Sequence, residues 1–443
     1  MLPQINVPDH FCSIPWSGIE VNNLGYYRVC CISNNPETNG GLMKDAEGNW
    51  MHVLTHDIRE ILASPLLQSI RDTHANGTQH NNCSTCWTRD TVAKGKAVSQ
   101  GRRIFFSAKT LRNAVTSPFP SYDEVMAKPD TWQGGIQSLD LKLGNLCNLA
   151  CLHCDPKNSN QLIDEYMAFT GKTEITGDVC SPDNNKFILK SNGRYAVEGT
   201  DWFDTDKWWE QFTAIAGQLK HVYITGGEPM VVPFHAKMLD YFIEQDLAKN
   251  IVMEYDSNLT AVNTKLLEKW KSFRKIIIRA SIDGIGPVYN LIRYPGDWNR
   301  VSKNIIDNKK IIAEVTACLM PYNVYQLPEM EAWIRSIGSN MGLRFVMTPV
   351  HLNIANFPRS VKEELISLYS QYKDRAAQFP ETLKALAYIE RNINTVNEDA
   401  VEQFLIRSNF QAEFRSNSWK EVCPELAKHF VNHLMYNSNK SNR

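Results

Sequence analysis

The chain has 443 residues, which at about 150 residues per domain sets roughly three folding units and a core large enough to need no disulfide staples. Its composition, 43% hydrophobic, 21% charged and 10% aromatic, excludes intrinsic disorder, because that much apolar surface can be buried. With 47 Lys and Arg against 48 Asp and Glu the net charge is −1, so no global field draws the molecule to nucleic acid or to an anionic membrane.

Residues 1–134 open with short strand-like pieces, GIEVNN and YYRVCCI, then a helical stretch, DIREILASPLLQSIRDTHANG, and a linker carrying the prolines of SPFPSY and AKPD. This reads as a separate N-terminal α+β unit. From about residue 135 strands alternate with helices, the pattern of βα units around a parallel sheet. The predicted strands are SLDLKLG (138–144), HVYIT (221–225), IVMEYD (251–256), IIIRASID (276–283), EVTACLM (314–320) and LRFVMTP (343–349). They are short and rich in β-branched residues, as strands buried in a parallel sheet are. The intervening segments, such as TDKWWEQFTAIAGQL and WNRVSKNIIDNKKII, repeat apolar residues at three- and four-residue spacing and so bury one helical face. The fold class is therefore α/β, with six βα repeats over 135–354 forming a partial (β/α)6 barrel or an open parallel sheet. The first repeat carries an insertion at about 160–205 whose TGDVCSPDNNKF and KSNGRYAVEGTDW runs read as loop or hairpin, a position that often lids an active site. A helical tail is expected over 355–443, from SVKEELISLYSQYKDRAAQF, ETLKALAYIERNI and DAVEQFLIRSNF.

The opening MLPQINVPDHF lacks a basic start and an apolar core, and no run approaches 18 apolar residues, so a cytoplasmic location and no membrane span are expected. The eleven cysteines are Cys12, Cys30, Cys31, Cys83, Cys86, Cys147, Cys151, Cys154, Cys180, Cys318 and Cys423. An odd number, bunched at short spacing, in a reducing compartment argues for metal ligation. Cys147, Cys151 and Cys154 form C-x3-C-x2-C in LGNLCNLACLHC, directly after the first predicted strand, with His153 before the third cysteine. That end of a parallel strand is where α/β sheets hold their chemistry. Three thiolates leave a tetrahedral zinc site incomplete and one iron of a [4Fe-4S] cluster open; a zinc-filled or metal-free loop is the alternative. Further segments follow at later strand ends: Gly226, Gly227, Glu228 and Pro229 after the second strand, Asn258 in YDSNLT after the third, and Ser281 in RASIDG after the fourth, followed by Arg293 in YNLIRYPGDW. Paired glycines let backbone pass close to a ligand, although an ordinary turn and a surface salt bridge at Arg293 would read the same way.

The motif order and the cysteine spacing resemble the radical S-adenosylmethionine (SAM) superfamily. The resemblance implies a [4Fe-4S] cluster on Cys147, Cys151 and Cys154. It implies SAM held at its amino group by the 226–229 segment, near its ribose by Asn258, and at its carboxylate by Ser281 and Arg293. A flavodoxin- or ferredoxin-type reductant would deliver one electron, and SAM cleavage would yield methionine and a 5′-deoxyadenosyl radical that abstracts a substrate hydrogen. Met320 to Val324, after the fifth strand, offers an adenine wall or core. The N-terminal cysteines follow C-x12-G-x4-C…C-x2-C through Cys12, Gly25, Cys30, Cys83 and Cys86. That spacing resembles the twitch module, the shorter relative of SPASM, in which four cysteines enclose a second [4Fe-4S] cluster. In characterised relatives the module follows the barrel, whereas here it precedes it. The arrangement over about residues 8–350 resembles twitch domain-containing radical SAM proteins of phage and bacterial genomes.

Four cysteines with one C-x2-C pair also suit a structural zinc site, so that alternative stays open. Cys31 would point away if Cys30 ligates. Cys180, Cys318 and Cys423 are solitary, and Cys318, in an apolar strand, reads as core. The basic, Phe-containing stretch 92–109 reads as a solvated linker face rather than an RNA contact. His221 and His351, near strand ends, read as satisfied polar groups with proton transfer as the alternative. For the substrate, the resemblance implies a peptide or protein, or alternatively a small molecule of the kind taken by an aminocyclitol dehydrogenase. A non-enzymatic, zinc-stabilised interaction protein is the reading from a different class.

Overall fold

The structure, a computed structural model, describes residues 12–33, 40–86, 135–177 and 181–430. The linker prolines, the basic stretch 92–109 and Cys180 lie outside the described residues. Among those described, strands β1 (Gly18–Val21), β2 (Tyr27–Arg28) and β3 (Ser138–Lys142) come first. An insertion sheet follows, β4 (Glu174–Ile175), β5 (Asn185–Leu189) and β6 (Tyr195–Val197). The series then continues with β7 (His221–Thr225), β8 (Val252–Ser257), β9 (Lys275–Ser281), β10 (Ile312–Leu319) and β11 (Met341–Phe345). The helices that position the site are α1 (Ile14–Ser17), α2 (Pro65–Ala75), α3 (Ile163–Thr170), α4 (Asp206–Ala216), α5 (Pro233–Glu244), α6 (Thr264–Trp270), α7 (Gly286–Ile292), α8 (Trp298–Asp307), α9 (Leu327–Ser336), α10 (Arg359–Ser370), α11 (Pro380–Arg391) and α12 (Glu398–Phe414).

The main sheet has the order β11-β10-β9-β8-β7-β3-β1-β2. The six strands expected from sequence are adjacent in chain order and mutually parallel, as right-handed βα connections require. The crossover helices start where side chains satisfy their first N–H groups. Thr205 accepts from Trp208 N, Asn263 from Leu266 N and Asp297 from Asn299 N, while Pro233 opens α5 at a position whose N–H has no intrahelical partner.

Three features differ from the sequence expectation. The sheet does not stop near residue 135: β1 pairs in parallel with β3, Ile19 beside Leu139 and Val21 beside Leu141, so the N-terminal segment extends the sheet. The insertion is not only loop and hairpin, because it holds α3 and a three-stranded antiparallel sheet. The main strands are apolar on one face alone. Leu139, Val222, Ile224, Met253, Tyr255 and Ala280 are fully buried on the side that alternates with Asp140, Tyr223, Thr225, Glu254, Asp256 and Arg279. The second face is charged but internally paired. Arg279 Nη1 donates to Asp256 Oδ1 at 3.0 Å while its Nη2 pairs with Glu254, Tyr223 Oη donates to Asp256 Oδ2 at 2.5 Å, and His221 Nε2 meets Glu254 Oε2 at 2.7 Å.

The tail packs back onto the insertion. Glu165 of α3 receives Arg415 Nε at 2.6 Å, Arg415 Nη2 at 3.0 Å and Gln411 Nε2 at 2.8 Å. Both members of the ion pair are buried, so removing one partner strands a charge away from water. Arg415→Met is expected to lower the free energy of unfolding by about 3–5 kcal/mol; a urea midpoint equal to that of the parent would show that this pair does not anchor the tail.

Candidate active site

The cysteine loop is braced from its own sequence before any ligand is considered. Asn160 Oδ1 accepts Cys147 N at 2.9 Å, Gln161 Nε2 donates to Cys147 O at 3.1 Å, Ser159 Oγ donates to Leu149 O at 2.6 Å, and Asn145 Nδ2 donates to Pro156 O at 2.8 Å. From the far side Ala150 N and Leu152 N donate to Tyr294 O and Ile292 O at 2.5 and 2.9 Å. The side chains of Cys147, Cys151 and Cys154 pack around Leu149 in one small cluster. Burial pushes all three thiols up, Cys151 to about 12 even though Arg293 pulls it the other way. Three thiols gathered within one loop are a donor set that suits a metal centre.

The expected SAM contacts converge on the same place. Cys147, Cys151, Cys154, Gly226, Gly227, Glu228, Asn258, Ser281 and Arg293 line one cavity of about 220 Å3. Pro229 does not line it; it opens a 3-10 turn over residues 229–231. The two glycines answer a local constraint. A Cβ on Gly227, whose φ is +22°, would sit 2.0 Å from Leu146 O, and one on Gly226, whose φ is +82°, would sit 2.9 Å from Leu143 N. The pair is therefore required where β7 passes the start of the cysteine loop.

Glu228 is 1% exposed, and its carboxylate is held by protein groups: Ser257 Oγ donates to Oε1 at 2.8 Å, Met230 N to Oε1 at 3.2 Å and Asn258 N to Oε2 at 2.7 Å. Burial pushes its pKa up while these donors oppose the shift. Asn258 Nδ2 donates to Asn148 Oδ1 at 3.0 Å, and Asn148 Nδ2 donates to Thr260 Oγ1 at 2.6 Å. Asn148, inside the cysteine motif, was not singled out from sequence, because its role depends on a strand end more than a hundred residues away.

Arg293 also has a partner that the sequence did not reveal. It is buried, its Nε lies 2.8 Å from Asp283 Oδ2, and its Nη1 lies 4.0 Å from Cys151 Sγ. Asp283 is fully buried and accepts Cys318 N at 2.7 Å through Oδ1, with His153 Nδ1 3.7 Å from Oδ2. Cys318 itself is partly buried and packs against the apolar core. Met320 to Val324 do not line the cavity; Met320, Tyr322 and Val324 are core, and Tyr322 Oη meets Ser408 Oγ at 2.7 Å. His221 is buried between Ser138 and Glu254, whereas His351 lines a second cavity.

The N-terminal cysteines also converge. Cys12, Cys30, Cys83 and Cys86 line a narrow cavity of about 30 Å3, and Cys31 does not. Gly25, the glycine in that spacing, lies outside the cavity. Its φ of +85° closes the β1–β2 turn, where Gly25 N donates to Asn22 O at 3.0 Å and the chain turns back toward Cys30. His74 of α2, absent from the sequence-derived ligand set, also lines the cavity, with Nε2 3.9 Å from Cys83 Sγ.

No protein-family model matches the chain. A curated relative, "Probable GTP 3′,8-cyclase" of Methanocaldococcus jannaschii, is 23% identical over 239 residues, covering 52% of this chain and 67% of the relative. The likeness to this relative supports the radical SAM resemblance of the cysteine motif. Among solved structures it is similar to a polyhistidine-tagged anSMEcpe with bound AdoMet (13% identity, TM-score 0.35, 55% of this chain and 62% of the other). It is also similar to SuiB of Streptococcus suis bound to the precursor peptide SuiA (12% identity, TM-score 0.32, 54% and 46%). The chain thus spans less than two thirds of these two structures, and at such scores the likeness carries no argument about its reaction. No described helix is long and apolar enough to cross a membrane.

The Asp283–Arg293 pair generates a stability test. Arg293→Gln leaves a buried carboxylate without its cation and is expected to cost about 3–5 kcal/mol. Adding Asp283→Asn should recover part of that loss in a double-mutant cycle of urea unfolding. Strictly additive losses would show that the two side chains act independently.

Proposed function

We propose that this protein is a radical SAM enzyme that abstracts a hydrogen atom from a peptide or protein substrate. The observation that carries the reading is the convergence of Cys147, Cys151 and Cys154 with three later strand-end segments and Arg293 on one cavity. The three thiols would hold a [4Fe-4S] cluster with one iron left open to SAM, which supplies one-electron cleavage of SAM and hence a radical able to take a substrate hydrogen. The chain's part is to bind, orient and exclude water. Asn148 and Glu228 fix the loop against β8, Ser281 and Arg293 place donors on the cavity wall for an anionic group, and the 146–154 loop keeps the thiols out of bulk solvent. A flavodoxin- or ferredoxin-type protein is the proposed electron donor, and the six parallel strands are read as a partial barrel.

The N-terminal cysteines are proposed to hold a second [4Fe-4S] cluster as a twitch-like module, which would accept an electron from the substrate or bind it. A second reading, structural zinc, is favoured by the narrowness of that cavity, about 30 Å3, which suits a single ion.

In anaerobically reconstituted protein, replacing Cys147, Cys151 and Cys154 together by Ala should abolish conversion of SAM to methionine and remove about half the iron, with the remainder at the N-terminal site. Cleavage that survives this replacement would sink the proposal. Cys30→Ala should delete the residual iron–sulfur signal in electron paramagnetic resonance and Cys31→Ala should keep it. Zinc without sulfide at that site would assign it a structural role.

A further inference from the structure

A cavity of about 570 Å3 lies between α3, the segment at 348–351 after β11, and α12. This size accommodates an amino-acid or dipeptide-sized ligand. The cavity shares His153 and Cys154 with the smaller cavity that gathers the expected SAM contacts, so the two meet at the cysteine loop. Its polar character is asymmetric. Arg407 of α12 lies over the Phe169 ring, 4.6 Å from the centroid, and its buried Nε has no hydrogen-bond partner.

The carboxylates that could neutralise Arg407 are committed elsewhere. Glu165 is held by Arg415 and Gln411. Asp155 Oδ1 accepts the backbone N–H groups of Lys157 and Asn158 at 2.9 and 3.1 Å, and Asp155 Oδ2 lies 3.9 Å from Lys157 Nζ. His351 stays neutral, since burial and then the Arg407 charge push its pKa down to about 4. Among the described lining residues, Arg407 is therefore a cation without a carboxylate partner, set beside the aromatic rings of Phe169 and Phe410.

We propose that this cavity is the substrate pocket and that it takes a carboxylate-bearing group with an adjoining flat apolar body, the carboxylate on the Arg407 guanidinium and the body against Phe169 and Phe410. A guanidinium stacked on a ring keeps its edge N–H groups free for two parallel bonds to a carboxylate. Calling the ligand a substrate rests on the radical SAM reading above, whereas the binding itself requires neither SAM nor reductant.

The test uses the full-length holoprotein and three probes: N-acetyl-L-phenylalanine, its neutral amide, and phenyl phosphate. Titration followed by ligand-observed NMR should show the acid binding about tenfold or more tighter than the amide, the margin of a charge-assisted bond. Arg407→Gln should bring the acid to the level of the amide, and Arg407→Lys should recover part of the difference, with thermal unfolding confirming that each variant is folded. Equal binding of acid and amide to the parent protein, which needs no variant, would overturn the proposal. So would a preference that survives Arg407→Gln. Phenyl phosphate bound no tighter than the acid supports the carboxylate assignment, and a tenfold preference for phosphate overturns it. Conversion of SAM to methionine, measured on the same preparation without probes, reads the radical SAM proposal separately.

Discussion

A buried carboxylate that must be satisfied organises the centre of this molecule. Glu228 is almost fully shielded from water, and an unpartnered carboxylate there would cost several kcal/mol. Its three donors, Met230 N, Ser257 Oγ and Asn258 N, come from the turn after β7 and from the end of β8. Satisfying Glu228 therefore locks two adjacent strand ends together. The backbone of Glu228 donates to Leu146 O at 2.9 Å, and Asn258 reaches Asn148, so the same lock sets the height and tilt of the cysteine loop. The thiols of Cys147, Cys151 and Cys154 are thus placed by hydrogen bonds that involve no ligand, which is how a site is held ready for a metal centre.

Much of the fold was legible because its signals are local. Strand β7 falls on His221–Thr225 as expected, and the other five main strands lie within a few residues of their β-branched runs. Helix α3 was missed although Gly171, left-handed at φ +66°, closes it: its N-cap residue Leu162 makes no side-chain cap, and its anchor, Arg415, is 250 residues away. The site divides along the same line. The cysteine triplet is a spacing within one loop and can be read directly. The partners of Arg293 and Asn258 come from other loops and strands, and no periodicity encodes such pairs.

The charged face of the sheet corrects a more general expectation. Parallel strands buried on both sides are continuous apolar runs, yet β3 alternates Leu139 and Leu141 with Asp140 and Lys142, and β8 alternates Met253 and Tyr255 with Glu254 and Asp256. The register makes this tolerable. Asp256 lies directly beside Arg279 and Glu20 directly beside Arg28, so each of these two acids has a base as a cross-strand neighbour, although Glu20 also lies beside Asp140. Lys142 adds a second cation to Glu20 at 3.1 Å. A sheet built this way offers an apolar face for helices and a polar, internally neutralised face whose carboxyl-end rim carries the cysteine loop.

The wall of the larger cavity depends on contacts of a different kind. Arg415 reaches Glu165 across 250 residues of sequence and also lies 5.2 Å from the centroid of Tyr294, whose carbonyl accepts Ala150 N in the cysteine loop. One guanidinium therefore touches the insertion, and through Tyr294 the loop that bears the thiols. Contacts of such sequence separation form only after the intervening chain has been ordered, because the entropy of closing the loop must be met first. The cavity is consequently completed by the tail, while the cysteine loop is braced by neighbours within its own turn and by the ends of β7 and β8. The two cavities share His153 and Cys154, and Tyr294 links the contacts that complete the larger one to those that brace the cysteine loop. The tail thus shapes the larger cavity, while the hydrogen bonds from the ends of β7 and β8 fix the cysteine loop.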